Sequence, residues 1–390
     1  MKKFLAIFLT LAVFAAMVSG CAGQNGADNT AGATEPASKM EATAEEIAAL
    51  EKLYEGRQAY HGDMHGHTSS TEYSDGKNSL ADWKHHMEVN QIDFATVVDH
   101  RQSLHMKHED WDDTVFIGGT EPELNIKTVE VKGYRNLDYS MIFANLEDFE
   151  AYLNAYPVEY QYYGGRTQAK FTTDHAHLAE MIQSIKDNNG MFVHVHPFGG
   201  IYFDPVDMKD YWFADGTGFE VRNSLMKAEQ NAAAYDCWVY LLSEGKRIYA
   251  TYGSDAHGGL PGIETLMTVY SAQKNAEGYL EQMRAGNMTA GPAGIRIAIG
   301  DAVTGSAGSF AGKRVVMAVG DFHPTTVANS HTYRLDIYDD KGLVASQELD
   351  PAQMNYFAFD AAADAKFYRA NIYDVTADEI LAVGNPVWNG

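Results

Sequence analysis

The sequence predicts an α/β protein: a parallel sheet or barrel, followed by a small antiparallel β-sandwich. Two observations carry this. Strand-like and helix-like runs alternate from about residue 60 to 290, as parallel sheets require; beyond Thr289-Ala290-Gly291-Pro292 the texture turns to short strands separated by turn residues. A composition of 45% hydrophobic and 21% charged residues can fill a core, and 390 residues exceed one ordinary domain.

The first segment stands outside the fold. Lys2 and Lys3 precede an apolar run from Phe4 to about Val18, too short for a comfortable membrane span and shaped like an export signal. The run ends in Val18-Ser19-Gly20-Cys21, which resembles a bacterial lipobox, so residues 1–20 are expected to be cleaved and Cys21 to carry the lipid. Cleavage removes Lys2 and Lys3 and takes the net charge from −24 to −26. Two or three acyl chains, at about 0.8 kcal/mol per buried methylene, anchor stably. Residues 21–42 are small and polar, a flexible tether. The expected location is therefore a lipid anchor in the bacterial cell membrane or outer membrane, facing outside the cytoplasm. Cys237, in a helical stretch, is expected to be a buried small hydrophobe.

Thr43 and Glu46 have capping-box spacing and open a helix that runs to about Gly56. Strands are expected at 60–64, 94–98, 115–118, 141–144, 191–195, 218–221 and 248–252, with helices at 79–89, 146–155, 176–188, 227–243 and 272–285. The barrel segment spans 43–290. In the sandwich segment, 291–390, strands are expected at 294–299, 314–319, 332–338, 357–359, 367–373 and 380–383, with a hairpin connection at Asp339-Asp340-Lys341-Gly342.

Fifteen histidines stand in a chain of net charge −24, and they are not scattered. That charge argues against a protein that grips nucleic acid by its phosphates. His65 and His67, at i and i+2 after the first strand, face the same way and can reach one ion. Asp75, Asp99-His100, Glu121, His196, Glu220 to Asn223 and Asp255-Ala256-His257 each follow or close a strand. Six such coincidences over about 200 residues place ligand-capable side chains at one rim, where β/α barrels carry their function. Mixed imidazole and carboxylate suit Zn²⁺, Mn²⁺ or Fe²⁺.

The series Asp63-Met64-His65-Gly66-His67-Thr68 with Ser74-Asp75-Gly76, Val98-Asp99-His100, Gly119-Thr120-Glu121, His196-Pro197 and Gly253-Ser254-Asp255-Ala256-His257 resembles the motifs of the PHP (polymerase and histidinol phosphatase) superfamily over residues 60–290. Thr289-Ala290-Gly291-Pro292 and Gly384-Asn385-Pro386-Val387-Trp388 resemble its exported CehA/McbA-like branch, which appends a β-domain. The resemblance implies a distorted (β/α)7 barrel with two or three divalent ions at its mouth. By it, His65, His67, Glu121 and Asp255 would hold one ion, and Asp75, His100 and His257 another. Glu121 would bridge to a further ion shared with His196. Where relatives supply one more histidine, Gly133 to Ser140 has none: either Asp138 substitutes or the position is empty.

Asp63, Asp99 and Asn223 are expected to orient ligands. Arg101, Arg222 and His194 are candidates for substrate contact, and His61, His105 and His108 are read as polar loop residues. The aromatic run Tyr160-Gln161-Tyr162-Tyr163 is either a lid or a packing patch. The reading is an extracytoplasmic hydrolase of small-molecule esters. A metal-bound hydroxide, bridged by Glu121, would attack phosphorus; the same centre could attack a carbamate or carboxyl ester carbon. The alternative from another class is a surface-displayed protein that binds metal or glycan without turnover. Oligomeric state is left open.

Overall fold

The computed structural model describes residues 40–71, 74–100, 104–126, 137–155, 171–173, 175–198 and 214–390. Cys21, Arg101 and the Tyr160–Tyr163 run lie outside the described residues, as do the signal and nearly all of the tether.

Helix α1 (Ala44–Leu53) opens on the Thr43/Glu46 capping box. Its Glu51 binds Arg296 through both carboxylate oxygens at 2.9 Å, while the guanidinium lies between the rings of Tyr54 and Tyr270. The N-terminal helix is thereby tied to the chain's C-terminal third.

The main sheet begins with β1 (Gln58–Gly66), β2 (Phe94–Val97) and β3 (Phe116–Thr120), which pair in parallel. Helix α2 (Leu80–Asn90), capped by Ser79 and Asp82, crosses between the first two. A short β4 (Glu123–Ile126) leads to β5 (Leu137–Phe143), which is antiparallel to β3. Helix α3 (Leu146–Ala155), β6 (Phe171–Thr173) and α4 (His175–Asp187) then precede β7 (Met191–His194), antiparallel to β5. β7, β8 (Thr217–Asn223) and β9 (Ile248–Gly253) are parallel, with α5 (Ala228–Ser243) between the last two. β10 (Met267–Ser271) runs antiparallel along β1 and pairs with β11 (Met288–Ala290); between them lies α6 (Ala276–Arg284).

This corrects the expected (β/α)7 barrel. The sheet is mixed and does not close through a ladder: beyond β9 the chain meets the end of β1 at one bridge, Gly66 to Ala256. The link from β3 to β5 carries a strand and no helix among its described residues, and strands joined without a crossover helix pair antiparallel.

The last third is β-rich as expected. β12 (Gly294–Ile299), β13 (Ala302–Val303), β15 (Arg314–Gly320) and β18 (Asn355–Asp360) form a four-stranded antiparallel sheet. β16 (Tyr333–Asp339), β17 (Gly342–Leu349), β19 (Phe367–Asp374) and β20 (Glu379–Gly384) form a second antiparallel array. β14 (Ala307–Gly308) and β21 (Val387–Asn389) pair in parallel at its margin, and a five-residue helix, α7 (Pro324–Ala328), lies between the arrays in sequence. The β11–β20 pairing joins this second array to the main sheet, and residues Glu41–Gly390 make one compact unit.

The core is lined by residues such as Phe94, Phe143, Phe192, Phe219, Trp238 and Tyr279, all fully buried. Cys237 on α5 is buried, and burial pushes its thiol up to about 12. No described helix is long and apolar enough to cross a membrane.

Candidate metal centre

The ends of the main-sheet strands bring ligand-type side chains together in three overlapping groups. His65, His67, Glu121 and Asp255 offer atoms within 4.8 Å of one another; so do His67, Asp75, His100 and His257, and so do Glu121, Asp138 and His196. The first group is buried. On the second, the Asp75, His100 and His257 side chains keep 54%, 28% and 28% of their exposure, so the cluster opens to solvent there.

His65 lies at the end of β1 and His67 just beyond it, their Nε2 atoms 3.2 Å apart. Glu121 Oε2 stands 3.2 Å from the first and 3.1 Å from the second, and Asp255 Oδ1 stands 3.5 and 3.3 Å away. The other Glu121 oxygen, Oε1, lies 2.9 Å from His196 Nε2. One carboxylate thus faces two groups.

Three of the outer nitrogens are already committed. His65 Nδ1 donates to Glu220 Oε1 at 3.1 Å, His100 Nδ1 to the Glu121 carbonyl at 3.1 Å, and His257 Nδ1 to the Asp255 carbonyl at 2.8 Å. In each neutral ring the Nε2 lone pair is then left facing carboxylate oxygen: His100 lies 3.5 Å and His257 3.2 Å from Asp75. Lone pairs converging on carboxylates need a cation between them, and an outer N–H fixed on an oxygen is how ligating histidines are oriented. Asp255 Oδ1 and His67 Nδ1, both buried, have no hydrogen-bond partner among the described residues. The donor set therefore fits divalent metal.

Without metal, protons must fill that role. Burial alone would push the imidazoles down, but the surrounding carboxylates outweigh it. Asp255, Glu220 and Glu121 hold His65 well above its usual range; Glu121 and Asp75 raise His100 to about 10, and Glu121 raises His196 to about 9. Burial would likewise raise the carboxylates, yet His65 and His100 hold Glu121 well below the usual range, and His100 and His257 do the same for Asp75.

Two ligand-type residues have left-handed backbone, His196 at φ 29° and Asp255 at φ 52°. For a histidine this is strained by about 1–3 kcal/mol, a cost characteristic of positions that surrounding structure fixes for function. Glu220 fixes it here: its Oε2 accepts from the His196 backbone N–H at 2.6 Å and from Asn223 Nδ2 at 2.9 Å. Glu220 is the positioning residue that the candidate set omitted, although its place at a strand end was the available signal. Gly253 lies so close to Glu220 Oε1 and the His65 Cβ that a methyl group there would overlap both.

The expected supporting residues have clear partners. Asp63 accepts from the Ser254 N–H and Oγ, both at 2.8 Å, and burial pushes it up to about 7. Asp99 accepts from the Thr68 N–H at 2.6 Å and Oγ1 at 2.8 Å. Asn223 Nδ2 also reaches Asp255 Oδ2 at 3.4 Å. Asp138 lies 3.8 Å from His196, in the third group.

Of the substrate-contact candidates, Arg222 and His194 are described, and both stand apart from the three groups. Arg222 turns away from the cluster: it donates to the Ile380 carbonyl at 3.1 Å and Glu379 at 3.2 Å, beside the Tyr252 ring. A bulge between Glu220 and Arg222 breaks the strand's alternation and sends them apart. His194 packs among Phe192 and Phe219, outside the three groups, and burial pushes it down to about 3. His61 and His105 are buried, the first on β1 against Thr268.

No protein-family model matches the sequence, and no curated relative does. Among solved structures, a two-domain protein containing a predicted PHP-like metal-dependent phosphoesterase from Bacteroides vulgatus is similar at 11% identity, covering 90% of this chain and 99% of that one, with a TM-score of 0.39. An amidohydrolase from Chromobacterium violaceum, with bound sulfate and no metal, is similar at 14% identity over 51% of this chain and 92% of its own, TM-score 0.35. Endonuclease Q in complex with an abasic duplex is similar at 16% identity over 58% and 56%, TM-score 0.34.

Proposed function

We propose that this protein is a PHP-like, metal-dependent hydrolase, with phosphate esters as its substrates. The observation that carries the proposal is the double exposure of Glu121, one oxygen toward His65 and His67 and the other toward His196, within three groups that share members. A carboxylate so placed suits adjacent cations, two or three per chain.

His65, His67, Glu121 and Asp255 would hold a cation at the buried end; His100, His257 and Asp75 would hold another at the open end; Glu121, His196 and Asp138 provide the third group. Bound there, divalent ions lower the pKa of water towards neutrality and offset negative charge on a phosphoryl group. The chain's own part is to keep this constellation rigid. Glu220 fixes the His65 ring and the His196 backbone, Asp99 fixes Thr68 beside His67, and Asp63 fixes Ser254 beside Asp255. The half-exposed Asp75 side marks where substrate enters, with the ester phosphorus approached from the cluster and the alkoxide leaving towards solvent.

The Met1–Cys21 pattern supports an exported, lipid-anchored enzyme facing outside the cytoplasm; labelled palmitate uptake by the parent but not Cys21→Ser tests it. For the activity, a panel of phosphomonoesters, phosphodiesters, carboxyl esters and carbamates is assayed with Zn²⁺, Mn²⁺ and Fe²⁺ varied. Phosphoester turnover that His65→Ala abolishes supports the proposal. Turnover of the neutral esters alone would move it to the carbonyl reading, and no turnover above the His65→Ala background would refute it.

A further inference from the structure

We propose that the Lys77 ammonium, held along Gly258 at the open side of the cluster, is a specificity residue that selects anionic phosphoryl substrates over neutral esters. The inference rests on the hydrolase reading and names which substrate charge the site prefers.

Lys77 follows Asp75 by two residues, and its backbone N–H donates to the His257 carbonyl at 2.7 Å. That bond ties the loop carrying Asp75 to the segment that carries Asp255 and His257. The Lys77 side chain runs beside Gly258: a methyl group at that glycine would touch its Cδ and Nζ at 3.6 Å. The ammonium is therefore placed one residue from His257, on the side where Asp75, His100 and His257 meet solvent.

Lys77 is exposed, so its ammonium is within reach of a ligand. Among the described residues Lys84, Lys107, Lys274 and Lys341 sit within 4.0 Å of a carboxylate, whereas Lys77, like several other surface lysines, does not; what sets Lys77 apart is its place beside His257. The same loop holds three hydroxyls, those of Ser70, Thr71 and Ser74, which are shielded from solvent and bonded to nothing among the described residues. An exposed ammonium and hydroxyls without partners among the described residues, next to the entry side, suit an oxyanion. A neutral carbamate or carboxyl ester gains nothing from the ammonium, whereas a phosphoryl anion about 6 Å away at a partly exposed site gains roughly five- to tenfold in binding.

The test uses the full chain, metal-loaded, with 4-nitrophenyl phosphate and 4-nitrophenyl acetate as substrates, and inorganic phosphate as a probe in equilibrium dialysis. Lys77→Ala and Lys77→Glu are expected to lower phosphate affinity by roughly five- to tenfold or more, to raise KM for the phosphate ester more than they lower kcat, and to reduce the ratio of kcat/KM between the phosphate ester and the acetate by a similar factor. Lys77→Arg restores most of each value, and the effect shrinks as salt rises. Unchanged phosphate affinity and an unchanged ratio in Lys77→Ala, with metal content equal to the parent, would overturn the proposal. Dialysis keeps the two readings apart: parent protein that binds phosphate through Lys77 but turns over neither ester contradicts the hydrolase, not the subsite.

Discussion

Replacing Glu220 with glutamine should weaken metal binding by about 10- to 100-fold, the usual effect of losing a group that orients a ligand. The carboxylate accepts three bonds, from His65 Nδ1, the His196 N–H and Asn223 Nδ2, at 3.1, 2.6 and 2.9 Å. All three partners are donors. A glutamine oxygen can serve the His196–Asn223 side, but its amide then meets the His65 N–H head on. His65 escapes only by moving its proton to Nε2, which removes the lone pair that faces Glu121 and Asp255. The loss corresponds to about 1.4–2.8 kcal/mol of binding, and the lost buried bonds should cost the metal-free fold about 1–3 kcal/mol. Chelator competition against a colorimetric zinc indicator reads the affinity, and circular dichroism with thermal melting checks that the variant is folded. A folded Glu220→Gln protein with affinity within twofold of the parent would refute the orienting role.

Asp255→Asn removes a carboxylate shared by the His65 and His257 contacts, and turnover should fall by at least 100-fold with fewer ions bound, read by steady-state kinetics and elemental analysis. Gly253→Ala should lower the melting midpoint, because the added methyl overlaps Glu220 and His65; overpacking of this kind costs about 1–3 kcal/mol. His61 yields a pH prediction: burial, with His323 nearby, pushes its imidazole down to about 4. Above the unfolded value near 6.5 both states are neutral; as pH falls through that value the unfolded chain takes up a proton first, so stability drops between about 6.5 and 4, by about 3 kcal/mol for this group. In urea titrations across that window, His61→Asn should flatten the slope of stability against pH by that amount, and an unchanged slope would count against a buried neutral ring.

The convergence of the cluster was legible because strand ends in a β/α sheet point to one rim and residues two apart on a strand share a face; His65 and His67 follow that rule directly. The Thr43/Glu46 capping box was equally local and appears as read. Less local features escaped. β5 runs antiparallel because of how its connections are routed, which no periodicity encodes. Strand β10, Met267–Ser271, is a short apolar run that becomes a strand by lying along β1. Arg222 adjoins the motif residues in sequence, yet beyond the bulge beside Glu220 its side chain meets Glu379 and the Ile380 carbonyl, which adjacency alone does not reveal. Glu220 itself shows that a carboxylate gripping a histidine and one binding an ion look alike until their partners are known.

The central claim is tested most directly by counting metal. Protein purified, reconstituted with Zn²⁺ or Mn²⁺ and freed of excess ion should contain two or three ions per chain, and His65→Ala should lose at least one of them. Less than one ion per chain in the folded parent, or equal content in the parent and His65→Ala, would contradict the account.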